Sequence, residues 1–138
     1  MSDPFVVDSS VAIGWVHHRQ ANDLTKRLLN DAKNGAAVYV PALWHLEVAN
    51  TLLVVVRRKL MTDAQRAAGL TLLSQLRVII DDETNRLAFS TISELASKHS
   101  LSVYDTSYLE LARRKSLPLA TRDEALKSAA KKLGIKFS

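Results

Sequence analysis

The sequence predicts a three-layer α/β/α sandwich built on a central parallel sheet of four to five strands. Short apolar runs at 5–7, 37–40, 77–81 and 117–120 alternate with longer segments of helical spacing. No hairpin dipeptide joins two of these runs, so consecutive strands are linked through helices, as a parallel sheet covered on both faces requires. No internal repeat, low-complexity tract or Pro/Gly/Ser-rich linker interrupts the 138 residues, and one domain over 1–138 is expected.

Phe5-Val6-Val7 reads as a buried strand that runs straight into Asp8-Ser9-Ser10, after which 11–16 resumes an apolar, helix-like pattern. Residues 21–33 have helical spacing through Leu24, Leu28, Leu29 and Ala32 and stop at Asn34-Gly35. The strand at 37–40 meets Pro41, which suits the first turn of a helix reaching about Lys59. Thr62 and Gln65 form a capping box for a helix to about Leu76. After the strand at 77–81, Asp82 or Thr84 is expected to cap a helix over 83–99. Residues 101–104 lead to Asp105 and a helix that reaches Arg114-Lys115. The strand at 117–120 is followed by a helix opening at 121–124 and closed by Gly134, with 135–137 as a final edge strand.

Composition bounds the chemistry. A formal charge of +5 favours polyanionic partners such as nucleic acid. The lack of cysteine removes disulfides, thiol catalysis and cysteine-based zinc sites, and it fits a reducing cytosol. Met1-Ser2-Asp3-Pro4 has no basic character and Asp8 interrupts the apolar stretch behind it, so no cleaved leader is expected. The longest purely apolar run, 52–56, is far short of the ~20 residues of a membrane span. A cytoplasmic protein without membrane partners is the expectation.

Several sites are absent. The glycines are scattered, so there is neither a dinucleotide-binding fingerprint nor a P-loop, and no nucleophile elbow occurs. His17 and His18 point about 100° apart on a helix and make no zinc pair; with His45 and His99 they read as surface or packing residues.

The carboxylates carry more. Asp8 stands at the carboxyl end of a buried strand, where ligands bind in open α/β sheets, although a helix cap explains it equally well alone. Glu47 interrupts an apolar helix and shares a face with Asn50; an unpaired buried carboxylate costs several kcal/mol, so Glu47 faces a polar pocket, a cation or solvent. Asp105 and Asp123 each open a helix behind an apolar segment, and 102–105 and 121–124 both have capping-box spacing. Their conjunction points further. Adjacent parallel strand ends lie ~5 Å apart, so acids behind neighbouring strands can converge. Two carboxylates 4 Å apart repel by about 4 kcal/mol at an effective dielectric near 20. Such a cluster calls for a divalent cation or for raised pKa values, and oxygen-only ligands point to Mg2+ or Mn2+.

Val7-Asp8-Ser9-Ser10-Val11-Ala12, Val40-Pro41-Ala42-x-x-x-x-Glu47-Val48-Ala49-Asn50, Tyr104-Asp105-x-x-Tyr108-Leu109-x-Leu111-Ala112 and Leu119-Ala120-Thr121-x-Asp123, in that order, resemble the PIN-domain nucleases. Among these the set is most similar to the VapC-type toxins of toxin–antitoxin pairs. The resemblance spans residues 5–137 and lies in the ordered set, no single motif being specific. It implies a metal-dependent endoribonuclease whose products carry a 5′-phosphate and a 3′-hydroxyl. It also implies that Asp8, Glu47, Asp105 and Asp123 form an acidic quartet, with Asp8 and Asp105 binding the metal directly and Ser10, Asn50 and Thr121 in support. Ala125 departs from members that carry a further acid there.

Within this reading Arg113, Arg114, Lys115 and Arg122 are candidate RNA-phosphate contacts near the rim, with 57–59 further off; solvated faces are the competing account of these basic runs. Asp81, Asp82 and Glu83 are expected in a capped turn, and Glu110 on a solvated helix face. The apolar surplus over 52–76 serves core packing or an interface, either of a homodimer or with the antitoxin that the resemblance implies. Two other functions compete. A non-catalytic RNA- or partner-binding module would keep the fold without the chemistry. A phosphoacceptor domain needs an acidic pair behind the first strand, whereas Asp8 follows Val7.

Overall fold

The computed structural model describes residues 3–138; the part of the leader reading that concerns Met1 and Ser2 lies outside the described residues. Four parallel strands, β1 (Phe5–Val7), β2 (Val38–Val40), β3 (Val78–Ile80) and β4 (Leu119–Ala120), form a sheet in the order β3-β2-β1-β4. β1 is thus interior, with Phe5 opposite Val38 on one side and Val7 opposite Ala120 on the other. Its three residues, like Val38, Val40 and both residues of β4, are buried, which is why these runs are continuously apolar instead of alternating. The expected fifth strand is reduced to a single parallel bridge between Phe137 and Leu119, supported by Leu119 N–H to the Lys136 carbonyl at 2.8 Å.

Helices flank the sheet. α1 (Ser9–Val16) packs with α2 (Asp23–Lys33), α3 (Trp44–Arg57) and α4 (Asp63–Gln75), and α3 packs on α4. Close approach explains two glycines: a Cβ on Gly14 would stand 2.6 Å from Thr25 Cγ2, and one on Gly69 would stand 2.9 Å from Val16 Cβ. α5 (Thr84–Leu87) and α6 (Ser93–His99) are joined by a π-helical turn over Ala88–Ile92. α7 (Val103–Lys115) lies against β1, β4, α6 and α8 (Glu124–Lys132). Among the described residues no helix is long and apolar enough to cross a membrane.

Local expectations fail in three places. Pro41 does not lie inside α3: its carbonyl accepts the Trp44 N–H at 3.1 Å, and the helix opens three residues later, behind a turn at 42–43. Neither Asp82 nor Thr84 caps α5: Glu83 holds the N-cap position without a side-chain bond, and the Thr84 hydroxyl is turned to Asp81 Oδ2 at 2.9 Å. Thr121 does not cap α8; Asp123 does, and Thr121 bonds elsewhere. The apolar surplus over 52–76 is largely drawn into the core through Leu52, Val55, Met61 and Leu73, while Leu60 stays exposed.

Candidate active site

The parallel topology brings Asp8 and Asp123 behind adjacent strands. Asp8 is 5% exposed and is both a helix cap and a member of the rim. Its Oδ1 accepts Ser10 Oγ–H at 2.6 Å and Val11 N–H at 3.2 Å, and its Oδ2 accepts the Thr121 hydroxyl. The same Thr121 oxygen accepts the Asp123 N–H at 3.0 Å, and Ser10 Oγ accepts the Arg122 N–H at 3.1 Å. Two hydroxyls thus knit the segment behind β4 to the segment behind β1. Asp123 caps α8 through Oδ1, which takes the N–H groups of Ala125 and Leu126. Its Oδ2 has no hydrogen bond among the described residues. Capping and participation in the rim therefore use different oxygens of one carboxylate.

Glu47 and Asp105 enter from the first turns of α3 and α7. The Ser102 hydroxyl caps α7 by accepting the Asp105 N–H at 3.0 Å. Asp105 and Tyr108 are three residues apart on α7 and share a face. Tyr108, buried beneath the rim, donates its hydroxyl to Glu47 Oε1 at 2.5 Å.

The electrostatics tie the acids together. Burial raises the Asp8 carboxyl pKa; hydrogen bonds from Ser10, Thr121 and Val11 oppose the rise, and the charge of Asp105 adds to it. Burial likewise raises Glu47, against the Tyr108 bond and with the charges of Asp105 and Asp8. Asp105 is raised by burial and then by Asp123, with Ser102 opposing. Each of the four acids therefore stands within electrostatic reach of another. Such mutual repulsion is relieved by protonation or by a cation.

The donor set of carboxylates and hydroxyls is the chemistry that hard divalent ions such as Mg2+ and Mn2+ take. The residues fit such an ion in kind. Among the described residues, however, no three acid or histidine side chains already stand together as a coordination shell.

Other candidates fall outside the cluster. Asn50 is exposed one turn beyond Glu47, and its side chain makes no hydrogen bond among the described residues. Arg122 is at the rim, its guanidinium donating to the Gln20 carbonyl. Arg113 lines a depression with Asp3 and Pro118, which precede β1 and β4, so it stands at the amino edge instead of the rim. Lys115 ends the same helix about 15 Å beyond Asp105 at 1.5 Å per residue. Arg114 is not a free phosphate contact: it makes paired bonds to Asp81 at 2.7 and 3.1 Å and to Glu110 at 2.8 and 3.0 Å.

Glu110 is accordingly buried, not on the solvated face expected of it, and Asp81 is buried with it. Burial alone would raise Asp81; the hydrogen bonds of Arg114 and Thr84 and the charge of Arg114 outweigh burial and hold it below the usual carboxylate range. The Glu110/Arg114 spacing signals half of this ion triad in the sequence. Nothing local signals Asp81. Tyr108 was visible in the sequence only as part of a motif, and its contact with Glu47 across 61 positions carries no local signal.

The family model described as PIN domain matches residues 5–132. Among solved structures the chain is similar to PAE2754 from Pyrobaculum aerophilum, at 22% identity over 99% of this chain and 92% of that one, with a TM-score of 0.68. It is also similar to FitAcB from Neisseria gonorrhoeae, at 19% identity over 96% and 95% of the two chains and a TM-score of 0.64. VapBC2 from Rickettsia felis, bound to a DNA fragment from their promoter, matches at 12% identity over 99% and 98%, with a TM-score of 0.64. At these identities the likeness establishes the fold alone. A comparison with curated proteins finds no match.

Proposed function

We propose, from the premise that this chain belongs to the PIN domain family, whose members are typically nucleases, that it is a divalent-metal-dependent endoribonuclease. We propose further that it is the toxin of a type II toxin–antitoxin pair and works in the cytoplasm. The observation that carries the nuclease reading is the gathering of Asp8, Glu47, Asp105 and Asp123 at one rim, where three of them have raised pKa values. A purely structural set of helix caps has no reason to accumulate unpaired negative charge.

Asp8 and Asp105 would hold the cation, Mg2+ or Mn2+, with Ser10 and Thr121 fixing the orientation of Asp8. When bound, such an ion polarises a phosphate oxygen and lowers the pKa of water. Glu47 orients the attacking water and takes its proton, a role suited to a carboxyl raised above its ordinary value. Water attacks phosphorus, the bond from phosphorus to the 3′ oxygen breaks, that oxygen takes a proton from solvent water as it leaves, and Glu47 returns its own proton to solvent. The products carry a 5′-phosphate and a 3′-hydroxyl. Asp123 offers its uncapped oxygen to the same rim, and Arg122 a phosphate contact. The likeness to FitAcB and VapBC2 supports the toxin reading, with an antitoxin as partner; a homodimer is the working form in this proposal.

Purified protein with RNA and Mg2+ or Mn2+ should cut, EDTA should stop it, and Asp8→Asn should be folded and inert. Cutting by Asp8→Asn at the wild-type rate would sink the assignment. Retention of RNA with no cleavage under any divalent ion would instead favour the non-catalytic binding module.

A further inference from the structure

Glu47 is half-buried, and the one hydrogen bond to its carboxylate among the described residues is the one from Tyr108. Tyr108 is 1% exposed, so its ring is fixed by packing and its hydroxyl has a single direction. The bond reaches Oε1 and leaves Oε2 unengaged. Without it, Glu47 would face the charges of Asp8 and Asp105 with nothing to hold it, and a carboxylate on a flexible stem would turn toward water. We infer that Tyr108 is a positioning residue: its buried hydroxyl clamps Glu47 Oε1 so that Oε2 is presented to the reacting water. This inference rests on the nuclease reading of the site.

Two observations support the clamp. Burial, followed by the bond to Glu47 and the charges of Glu47, Asp8 and Asp105, pushes the Tyr108 phenol far above its ordinary value, so it is a donor at every working pH. Asp105 lies three residues before Tyr108 on α7, so one rigid helix sets the direction of Asp105 and, through Tyr108, that of Glu47 on α3. A site held on packed helices keeps its geometry where loops would drift.

The test compares wild type, Tyr108→Phe, Glu47→Gln and the double variant as intact chains. Tyr108→Phe keeps the packed ring and deletes only the donor. With Mn2+ and a labelled RNA, kcat should fall about tenfold, with KM changed less than about twofold. The double variant should be no slower than Glu47→Gln alone, since residues acting through one another are not additive. A Tyr108→Phe enzyme at wild-type kcat, or one that slows Glu47→Gln by a further tenfold, overturns the inference.

A second readout needs no cleavage. In the carbon-13 carboxyl spectrum, Tyr108→Phe should move the Glu47 resonance and leave those of Glu83, Glu94 and Glu124 in place. An unmoved Glu47 resonance overturns the clamp. A moved one in a protein that cuts no RNA supports the clamp and removes the nuclease reading instead.

Discussion

Thr121 donates its hydroxyl to Asp8 Oδ2 across 113 positions of chain, and the Thr121 hydroxyl oxygen in turn accepts the Asp123 N–H. Thr121 is completely buried. One hydroxyl thus closes the gap between the ends of β1 and β4 and sets the distance between two of the acids.

Thr121→Val should strand a buried carboxylate oxygen and a backbone N–H, lowering stability by about 2–3 kcal/mol in urea denaturation. Thr121→Ser, which keeps the hydroxyl, should lose well under half of that. Equal losses for the two substitutions would mean that packing, not the bond, is what Thr121 contributes.

Metal-free stability should fall as pH rises through the neutral side of the carboxylate range. For Asp8, Glu47 and Asp105 the folded pKa lies above the ordinary value, so the folded state binds protons more tightly than the unfolded chain. Their contribution is therefore full at low pH and is lost as these groups ionise. Asp8→Asn, which keeps a good helix cap, should melt at an equal or higher temperature than wild type at pH 7.5 in EDTA. A gain of 1 kcal/mol corresponds to roughly 4 °C in a domain of this size. A melting point many degrees lower would assign Asp8 to capping alone.

Asp81 works in the opposite direction. Its folded pKa is depressed, so its stabilisation is complete above the ordinary carboxylate value and disappears as pH falls through the depressed one. Melting curves from pH 3 to 8 in EDTA should show a maximum on the acid side of neutrality. Arg114→Met should cost about 3–5 kcal/mol in urea denaturation, because it leaves Asp81 and Glu110 buried without a cation.

RNA affinity should separate the cations by position. Arg122→Ala should weaken binding and reduce the salt dependence by about one ion, as loss of one phosphate contact does. Arg113→Ala, at the amino edge of the sheet, should leave both unchanged in a filter-binding titration. Equal effects at the two positions would point to nonspecific charge attraction.

Adding Mn2+ to the metal-free protein should raise the melting temperature, because an ion that binds the folded state alone stabilises it by mass action. The rise should be absent in a variant carrying both Asp8→Asn and Asp105→Asn. The same shift in that variant would place the ion elsewhere.

The parallel α/β order is legible from residue pattern alone, since buried strands and amphipathic helices differ in period and length. That pattern also placed Asp8, Asp105 and Asp123 at element ends, because a charge directly behind an apolar run has few other places to go, and it set Glu47 inside an apolar helix, where a charge needs a polar partner or solvent. Thr62 with Gln65 read correctly as a capping box, a purely local device. Local spacing was a poorer guide wherever a side chain found a distant partner. Thr84 and Thr121 looked like caps and instead bond to Asp81 and Asp8. Arg114 reads as a candidate phosphate contact and Glu110 as solvated, yet both are locked with Asp81. These contacts, like the reach of Tyr108 to Glu47, arise from the packing of elements distant in the chain. Hydrogen bonds and ion pairs are made over about 3 Å, and the direction of a side chain at that scale is set by packing among elements far apart in sequence.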